Sequence, residues 1–143
     1  MQHHNEIKRV VTLDYESYYS KELTLTHMPT QAYIEHPDFH VIGVGVSERD
    51  ADGNYTRYEW IPGPEQARKG IESLRLDEPG TLTVAHNAMF DGGILEYHMG
   101  IKPWMYLCTM MGSRPHLAPF NKGGKTSLAS LQHFTNVPPK MGY

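Results

Sequence analysis

The sequence predicts an α/β fold in which a five-stranded mixed sheet is flanked by helices. Three observations point to it: five short β-rich segments recur along the chain, helical patterns separate the later ones, and a strong turn signal joins the second to the third. A chain of 143 residues with 39% hydrophobic residues fits one core. We therefore expect a single domain over residues 1–143.

The first predicted strand covers residues 8–13 and runs directly into the acidic cluster Asp14-Tyr15-Glu16. Its Val-Val-Thr-Leu run has the β-branched character of a strand. Because side chains alternate between the two faces of a strand, both carboxylates are expected on one face where this strand ends. After an irregular stretch, residues 30–36 favour a short helix, which ends before the proline that follows.

A β-hairpin is predicted next. Residues 39–46 are apolar enough for a central strand, and residues 55–61 alternate like a half-exposed edge strand. The residues between them, 50–54, include an Asp-Gly pair that is typical of a tight turn. The two strands are therefore expected to pair with each other.

The second half of the chain alternates helices and strands. An amphipathic pattern predicts a helix over 65–76, and a second helix is expected over 90–98, before a glycine. A further helix over 127–134 is indicated by leucine and phenylalanine at helical spacing. Short apolar runs predict strands at 81–85 and 105–108.

These crossover helices decide how the acidic residues are arranged. A helix between two strands makes them parallel, so the fourth and fifth strands should run parallel to the first, which then lies centrally. The carboxyl end of the fourth strand would begin close to the first strand, and Asp91 follows it. Asp14, Glu16 and Asp91 can then meet. Clustered carboxylates suit hard cations such as Mg²⁺ or Mn²⁺.

Composition narrows the remaining classes of function. The net charge is −3 and there is no Lys/Arg-rich run, so the sequence does not indicate broad binding of duplex DNA. An enzyme that holds a strand end through metal ions would not need a positive surface. Cys108 is the only cysteine, which excludes an intrachain disulfide and a thiolate cage. No stretch is long and apolar enough for a membrane span, and the start does not resemble a secretory signal, so a cytosolic protein is expected.

Histidines are not expected to hold a metal. His36 and His40 have the H-x-x-x-H spacing, but Pro37 ends the predicted helix between them, so no two of the nine histidines are expected on one helical face and zinc is disfavoured. His86 is expected to be a structural histidine with its hydrogen bonds made. Tyr15, Tyr18 and Tyr19 could stack a terminal base, or pack beneath the sheet.

Two motifs resemble the DnaQ-like, DEDD-type 3′–5′ exonucleases of the ribonuclease H-like superfamily. Leu13-Asp14-Tyr15-Glu16-Ser17 matches the D-x-E motif that follows a hydrophobic strand, and Asn87 with Phe90-Asp91 matches the second motif. The segments Tyr18-Tyr19-Ser20-Lys21 and 33–46 look like the proofreading exonuclease region of phage family A DNA polymerases. This resemblance implies a ribonuclease H-like fold and a phage protein in the cytoplasm of a bacterial host.

The same resemblance implies a two-metal hydrolysis of single-stranded DNA at its 3′ end, with Mg²⁺ or Mn²⁺. Asp14 would bridge both ions, Glu16 would ligate the ion nearer the nucleophile, and Asp91 would orient the shell of the second ion, directly or through water. The implied substrate-binding residues are Tyr15, Ser17, Asn87 and Phe90. Asn87 could instead cap the following helix, and Asp91 could simply favour the helix dipole.

One motif of the family is absent. A Tyr or His followed by an Asp on a late helix is expected after residues 127–134, and this sequence does not contain it. We therefore expect a C-terminally truncated fold that is weak or inactive alone, unless a polymerase or another second chain supplies the missing group. The alternative is a catalytically idle binding or polymerase-assembly module. Apolar surface left uncovered by the absent helix also predicts some homo-oligomerisation.

Overall fold

The computed structural model describes residues 6–117 and 125–132, which contain one mixed sheet and the helices around it. The strands lie in the order β3-β2-β1-β4-β5. Neighbours β1 and β2, and β2 and β3, are antiparallel, whereas β4 is parallel to both β1 and β5. The predicted mixed sheet with a central first strand is therefore confirmed. The strands are β1 (Arg9–Ser17), β2 (Val41–Asp50), β3 (Tyr55–Pro62), β4 (Thr81–Ala85) and β5 (Met105–Cys108).

Strand β1 is longer than predicted. It continues past residue 13 to Ser17, because the long partner strand β2 pairs with it as far as Glu16 opposite Gly43, and the register shifts only after that. The acidic residues therefore lie within the strand rather than beyond its end. The predicted hairpin between β2 and β3 is confirmed, and Gly53 provides the positive φ of 85° that its turn requires.

The helices follow the predicted order with two differences. The helix expected over 90–98 begins earlier, at Ala88, and continues as a π-helical turn. One helix was not predicted, since its sequence contains Gly112 and Pro115 and has no clear apolar face. In the part of the chain that the structure describes, no helix is long and apolar enough to cross a membrane. The helices are α1 (Thr30–Ile34), α2 (Pro64–Ser73), α3 (Ala88–Gly93), the π-helical turn Ile94–His98, α4 (Thr109–Leu117) and α5 (Leu128–Leu131).

The last predicted helix is only partly described. Residues 128–131 form α5, and Ser127 caps it by accepting the backbone N–H of Ser130. The remainder of the predicted range, 133–134, lies outside the described residues. Helix α5 is short, so its position depends on its contacts rather than on its own helical stability.

The two faces of the sheet have different environments. On β1, Val11, Leu13 and Tyr15 are buried, and they share their face with Val44 and Val46 of β2. Residues of α2 and of the π-helical turn belong to the same core, so helices cover this face. The alternate residues of β1 point the other way, and there Thr12 and the two acidic side chains are exposed. The sheet thus buries one row of β1 and leaves the acidic row open.

Candidate metal and nucleic-acid site

Asp91 joins the end of β4 to the centre of the sheet. The pairing of β1 with β4 stops at Thr12 and Val84, so the backbone N–H of Tyr15 lies beyond that ladder. Helix α3 carries the Asp91 carboxylate into this position, where Oδ1 accepts the Tyr15 N–H at 3.0 Å. The side chain is buried, with 5% of its surface exposed. Asp91 therefore replaces a strand carbonyl and fixes α3 against β1.

The same burial makes the Asp91 carboxylate costly to ionise. Loss of solvent, together with the smaller effect of the negative charges of Asp14 and Glu16, raises the pKa of Asp91 from 3.8 to about 7. The hydrogen bond from Tyr15 opposes this shift without cancelling it. Carboxylates from two distant parts of the sequence therefore lie within electrostatic reach of one another.

Asp14 and Glu16 occupy the open face of the sheet. Both side chains are exposed, two residues apart on β1, and they line a cavity of about 500 Å³ together with Ile42, Gly45 and Trp60. A second cavity of about 320 Å³ continues along the same face and shares Asp14, Gly45 and Trp60. The acidic pair therefore borders a groove on the sheet surface.

The three carboxylates fit a divalent cation in ligand type and in charge. Their hard oxygen atoms suit Mg²⁺ or Mn²⁺, and a cation would offset the burial and the repulsion that together raise the pKa of Asp91. Within residues 6–117 and 125–132, however, no three His, Cys, Asp or Glu side chains are gathered closely enough to hold an ion. The carboxylates share a region of the sheet, and the exposed pair must turn towards Asp91 to enclose a metal.

Two of the four residues proposed to bind substrate are engaged in the core or in hydrogen bonds to it. The ring of Tyr15 is 3% exposed, so it packs beneath the sheet and offers no face for stacking. Its position follows from the alternation that exposes its two acidic neighbours. The hydroxyl of Ser17 lies 2.8 Å from the Tyr33 hydroxyl. The structure thus gives Tyr15 the packing role that was its alternative.

The other two lie around the start of α3. Phe90 packs against the core, with its ring centroid 6.2 Å from that of Tyr33. Asn87 precedes α3, but its side chain makes no capping hydrogen bond, so the predicted cap is wrong. Its backbone carbonyl instead accepts the N–H groups of Phe90 and Asp91, which starts the helix.

His86 has the structural role that the sequence predicts. Its Nδ1 lies 3.0 Å from the Thr109 hydroxyl and its Nε2 lies 2.6 Å from the Thr126 carbonyl, so the ring links β4 to α4 and to the segment before α5. Of the two remaining tyrosines, Tyr18 stacks on His40 at 4.8 Å between ring centroids, and Tyr19 is exposed. Neither of these rings lines the groove beside the acidic pair.

The sequence did not single out Trp60, an aromatic residue that lines both cavities of this groove, whereas Tyr58 lines only the second. Trp60 stands on the edge strand β3, and Gly45 of β2 is its direct partner. Its signal in the sequence was the Gly-Val-Gly run of β2 facing an aromatic edge strand. That signal becomes readable only once the hairpin register is known.

Two buried tyrosines offer a matched test of this packing. Tyr15 and Tyr33 are each 3% exposed, but the Tyr15 hydroxyl is buried and has no hydrogen-bond partner among the described residues, whereas the Tyr33 hydroxyl donates to the Tyr18 carbonyl at 2.6 Å. We expect Tyr33→Phe to lower the free energy of unfolding by about 1–2 kcal/mol, and Tyr15→Phe to leave it unchanged or raise it by up to about 1 kcal/mol. Urea denaturation would measure both. Equal losses in the two variants would contradict the assignment.

Comparison with known proteins identifies the fold. No protein-family model and no curated protein matches this chain. Solved structures do match: E. coli Exonuclease I in complex with a dA16 oligonucleotide, at 15% identity with a TM-score of 0.52, covers 81% of this chain and 31% of its own. An ExoI/SSB-Ct complex matches at 14% identity with a TM-score of 0.52, covering 82% of this chain and 32% of its own. This chain thus spans about a third of the length of those proteins, and it has the ribonuclease H-like fold.

Proposed function

We propose that this chain is a 3′–5′ exonuclease-like domain that hydrolyses phosphodiester bonds at the 3′ ends of single-stranded DNA. The observation that carries the proposal is the buried Asp91 carboxylate on α3, which lies within electrostatic reach of Asp14 and Glu16 on β1. Similarity in fold to E. coli Exonuclease I, solved with dA16 and dT13 oligonucleotides, supports single-stranded DNA as the substrate class.

The metal chemistry belongs to the same proposal. Asp14, Glu16 and Asp91 would hold Mg²⁺ or Mn²⁺, and a bound pair of ions would supply an activated water and stabilise the departing 3′ oxygen. Two exposed carboxylates and one buried carboxylate suit this task, because the exposed pair can rotate while the Tyr15 N–H holds the third in place. A further acid or base would complete the site, supplied by other residues or by a second chain.

The relation to phage polymerases, the cellular location and the partner belong to the same proposal. The D-x-E motif at Asp14 and the second motif ending at Asp91 support a relation to the proofreading region of phage polymerases. Under that relation the 143 residues act as one exonuclease-like domain in the cytoplasm of a bacterial host. A polymerase would be the natural partner.

A second candidate is a catalytically idle module that binds nucleic acid or assembles with a polymerase. The absence of any three-ligand metal cluster among the described residues favours it. Both candidates use the same fold and the same groove. They differ in whether a strand is cut.

A strand-shortening assay separates the two candidates. Single-stranded DNA labelled at its 5′ end is incubated with Mn²⁺ and the chain, beside an Asp14→Asn variant prepared in parallel. The exonuclease proposal expects a ladder of products shortened from the 3′ end, which requires the metal and is lost in the variant. No shortening at high protein concentration would reject the enzyme in favour of the idle module, and equal shortening by both preparations would reveal a contaminant.

A further inference from the structure

The indole of Trp60 lies over Gly43 on the neighbouring strand. A methyl group placed on Gly43 of β2 would lie 2.3 Å from Cζ2 and 2.7 Å from Cη2 of Trp60, far inside van der Waals contact. Only a residue without a side chain leaves room for the ring at this position. Gly43 therefore sets where the indole rests.

The strand register brings this ring to the acidic pair. Trp60 is opposite Gly45, which is in turn opposite Asp14, so one row crosses β3, β2 and β1. From that row the indole extends over Gly43, whose partner on β1 is Glu16. The ring thus lies beside both carboxylates and, with Ile42, borders the cavity of about 500 Å³ that they line.

Part of the ring remains open to solvent. Half of the Trp60 surface is exposed although the ring rests on the strand, and the residue borders the groove. A large apolar ring that is held in place and partly uncovered is suited to stack a second flat ring.

We propose that Trp60, seated on Gly43, is the stacking platform for a nucleobase at the 3′ end of the single strand. This inference rests on the proposed function and adds the subsite that positions the terminal nucleotide. A base stacked on the indole places its phosphate towards Asp14 and Glu16, where a cation would be held. Because every base has a π-face, the subsite accepts all of them.

Binding can be tested without any cleavage. The chain has two tryptophans, so Trp104→Phe leaves Trp60 as the only indole, and Trp60→Phe leaves only Trp104. Titration with thymidine monophosphate in the presence of Ca²⁺ should quench the fluorescence of the Trp104→Phe protein and leave that of the Trp60→Phe protein unchanged. Quenching of equal size in both proteins, or in neither, would overturn the proposal.

Strand binding gives a second measurement. Trp60→Ala should weaken binding of oligo-dT roughly 5- to 100-fold because it removes the ring, whereas Trp60→Phe should keep part of the affinity. Gly43→Ala should weaken it in the same direction, since its methyl group would displace the ring and would also lie 2.8 Å from the Ile61 carbonyl oxygen. Matched controls lie away from the groove: Tyr97→Ala removes another exposed ring, and Gly112→Ala adds a methyl group that comes within 4 Å of no other described part of the chain. Affinity unchanged by Trp60→Ala would overturn the platform.

The outcomes distinguish this inference from the proposed function. If Asp14→Asn abolishes strand shortening while Trp60→Ala leaves the KM and the oligo-dT affinity unchanged, the nuclease stands and the platform is wrong. If no strand is cut but thymidine monophosphate still quenches Trp60 alone, the platform stands and the enzyme is wrong. Thermal melting of each variant shows that it is folded, and Trp60→Phe provides the conservative replacement.

Discussion

Asp14→Asn is expected to lower the rate of metal-dependent strand shortening at least about 10²- to 10³-fold while leaving the fold intact. Asp14 is the residue proposed to contact both ions, and Asn provides one neutral oxygen where a carboxylate provides two charged ones. The side chain is exposed and lines the groove, so its replacement should change the free energy of unfolding by no more than about 0.5 kcal/mol. Rates from end-labelled DNA and melting curves on the same preparations measure both quantities.

A charge-matched control separates ligand loss from surface electrostatics. Asp38→Asn also removes one negative charge, at an exposed carboxylate that borders neither cavity on the acidic face. It should retain the wild-type rate at each Mn²⁺ concentration. If Asp38→Asn and Asp14→Asn reduce the rate equally, then general charge rather than metal ligation explains the effect, and the proposed role of Asp14 fails.

The strand pattern was predictable where local sequence decides it. Strands β4 and β5 have the predicted bounds, 81–85 and 105–108, because short apolar runs flanked by turn residues leave little choice. The extension of β1 to Ser17 was not predictable in this way. It depends on how far β2 continues beside it, which is a tertiary property that overrides local preference.

The candidate site, too, could be predicted only in part. Alternation along β1 and the parallel crossover to β4 were enough to predict that Asp14, Glu16 and Asp91 share one region. The burial of Asp91 and its hydrogen bond to Tyr15 could not be predicted, because they depend on where α3 docks against β1. The position of Trp60 beside the acidic pair could not be predicted for a related reason. The glycine on which it rests is on another strand, and only the strand register connects the two.

Asp91→Asn is expected to make the metal-free protein more stable at neutral and alkaline pH. Burial raises the pKa of Asp91 from 3.8 to about 7, so the folded state holds its proton more tightly than the unfolded state does. Stability therefore falls as the pH rises from about 4 to about 7, and the full penalty applies above pH 7. Those two pKa values set an upper bound of about 4 kcal/mol at roughly 1.4 kcal/mol per pH unit.

The asparagine keeps the contact while removing the charge. Its Oδ1 can still accept the Tyr15 N–H, so the link between α3 and β1 survives. Between pH 4 and pH 8 the free energy of unfolding of the variant should rise by roughly 1–3 kcal/mol relative to that of the wild type. Urea denaturation at several pH values measures this difference, and Asp38→Asn provides the control. If the free energy of unfolding depends on pH in the same way in Asp91→Asn and in the wild type, then ionisation of Asp91 does not destabilise the fold.

Divalent metal should reverse this order, so that the wild type becomes more stable than Asp91→Asn. A cation that binds the folded wild type alone stabilises it by mass action, and it also removes the repulsion between Asp91 and its two acidic neighbours. Mg²⁺ or Mn²⁺ at pH 8 should therefore raise the melting temperature of the wild type and of Asp38→Asn, and leave that of Asp91→Asn nearly unchanged. If neither metal changes the melting temperature of the wild type, then the three carboxylates do not form a cation site. The buried charge of Asp91 would then weaken the fold with no ligand to offset its cost.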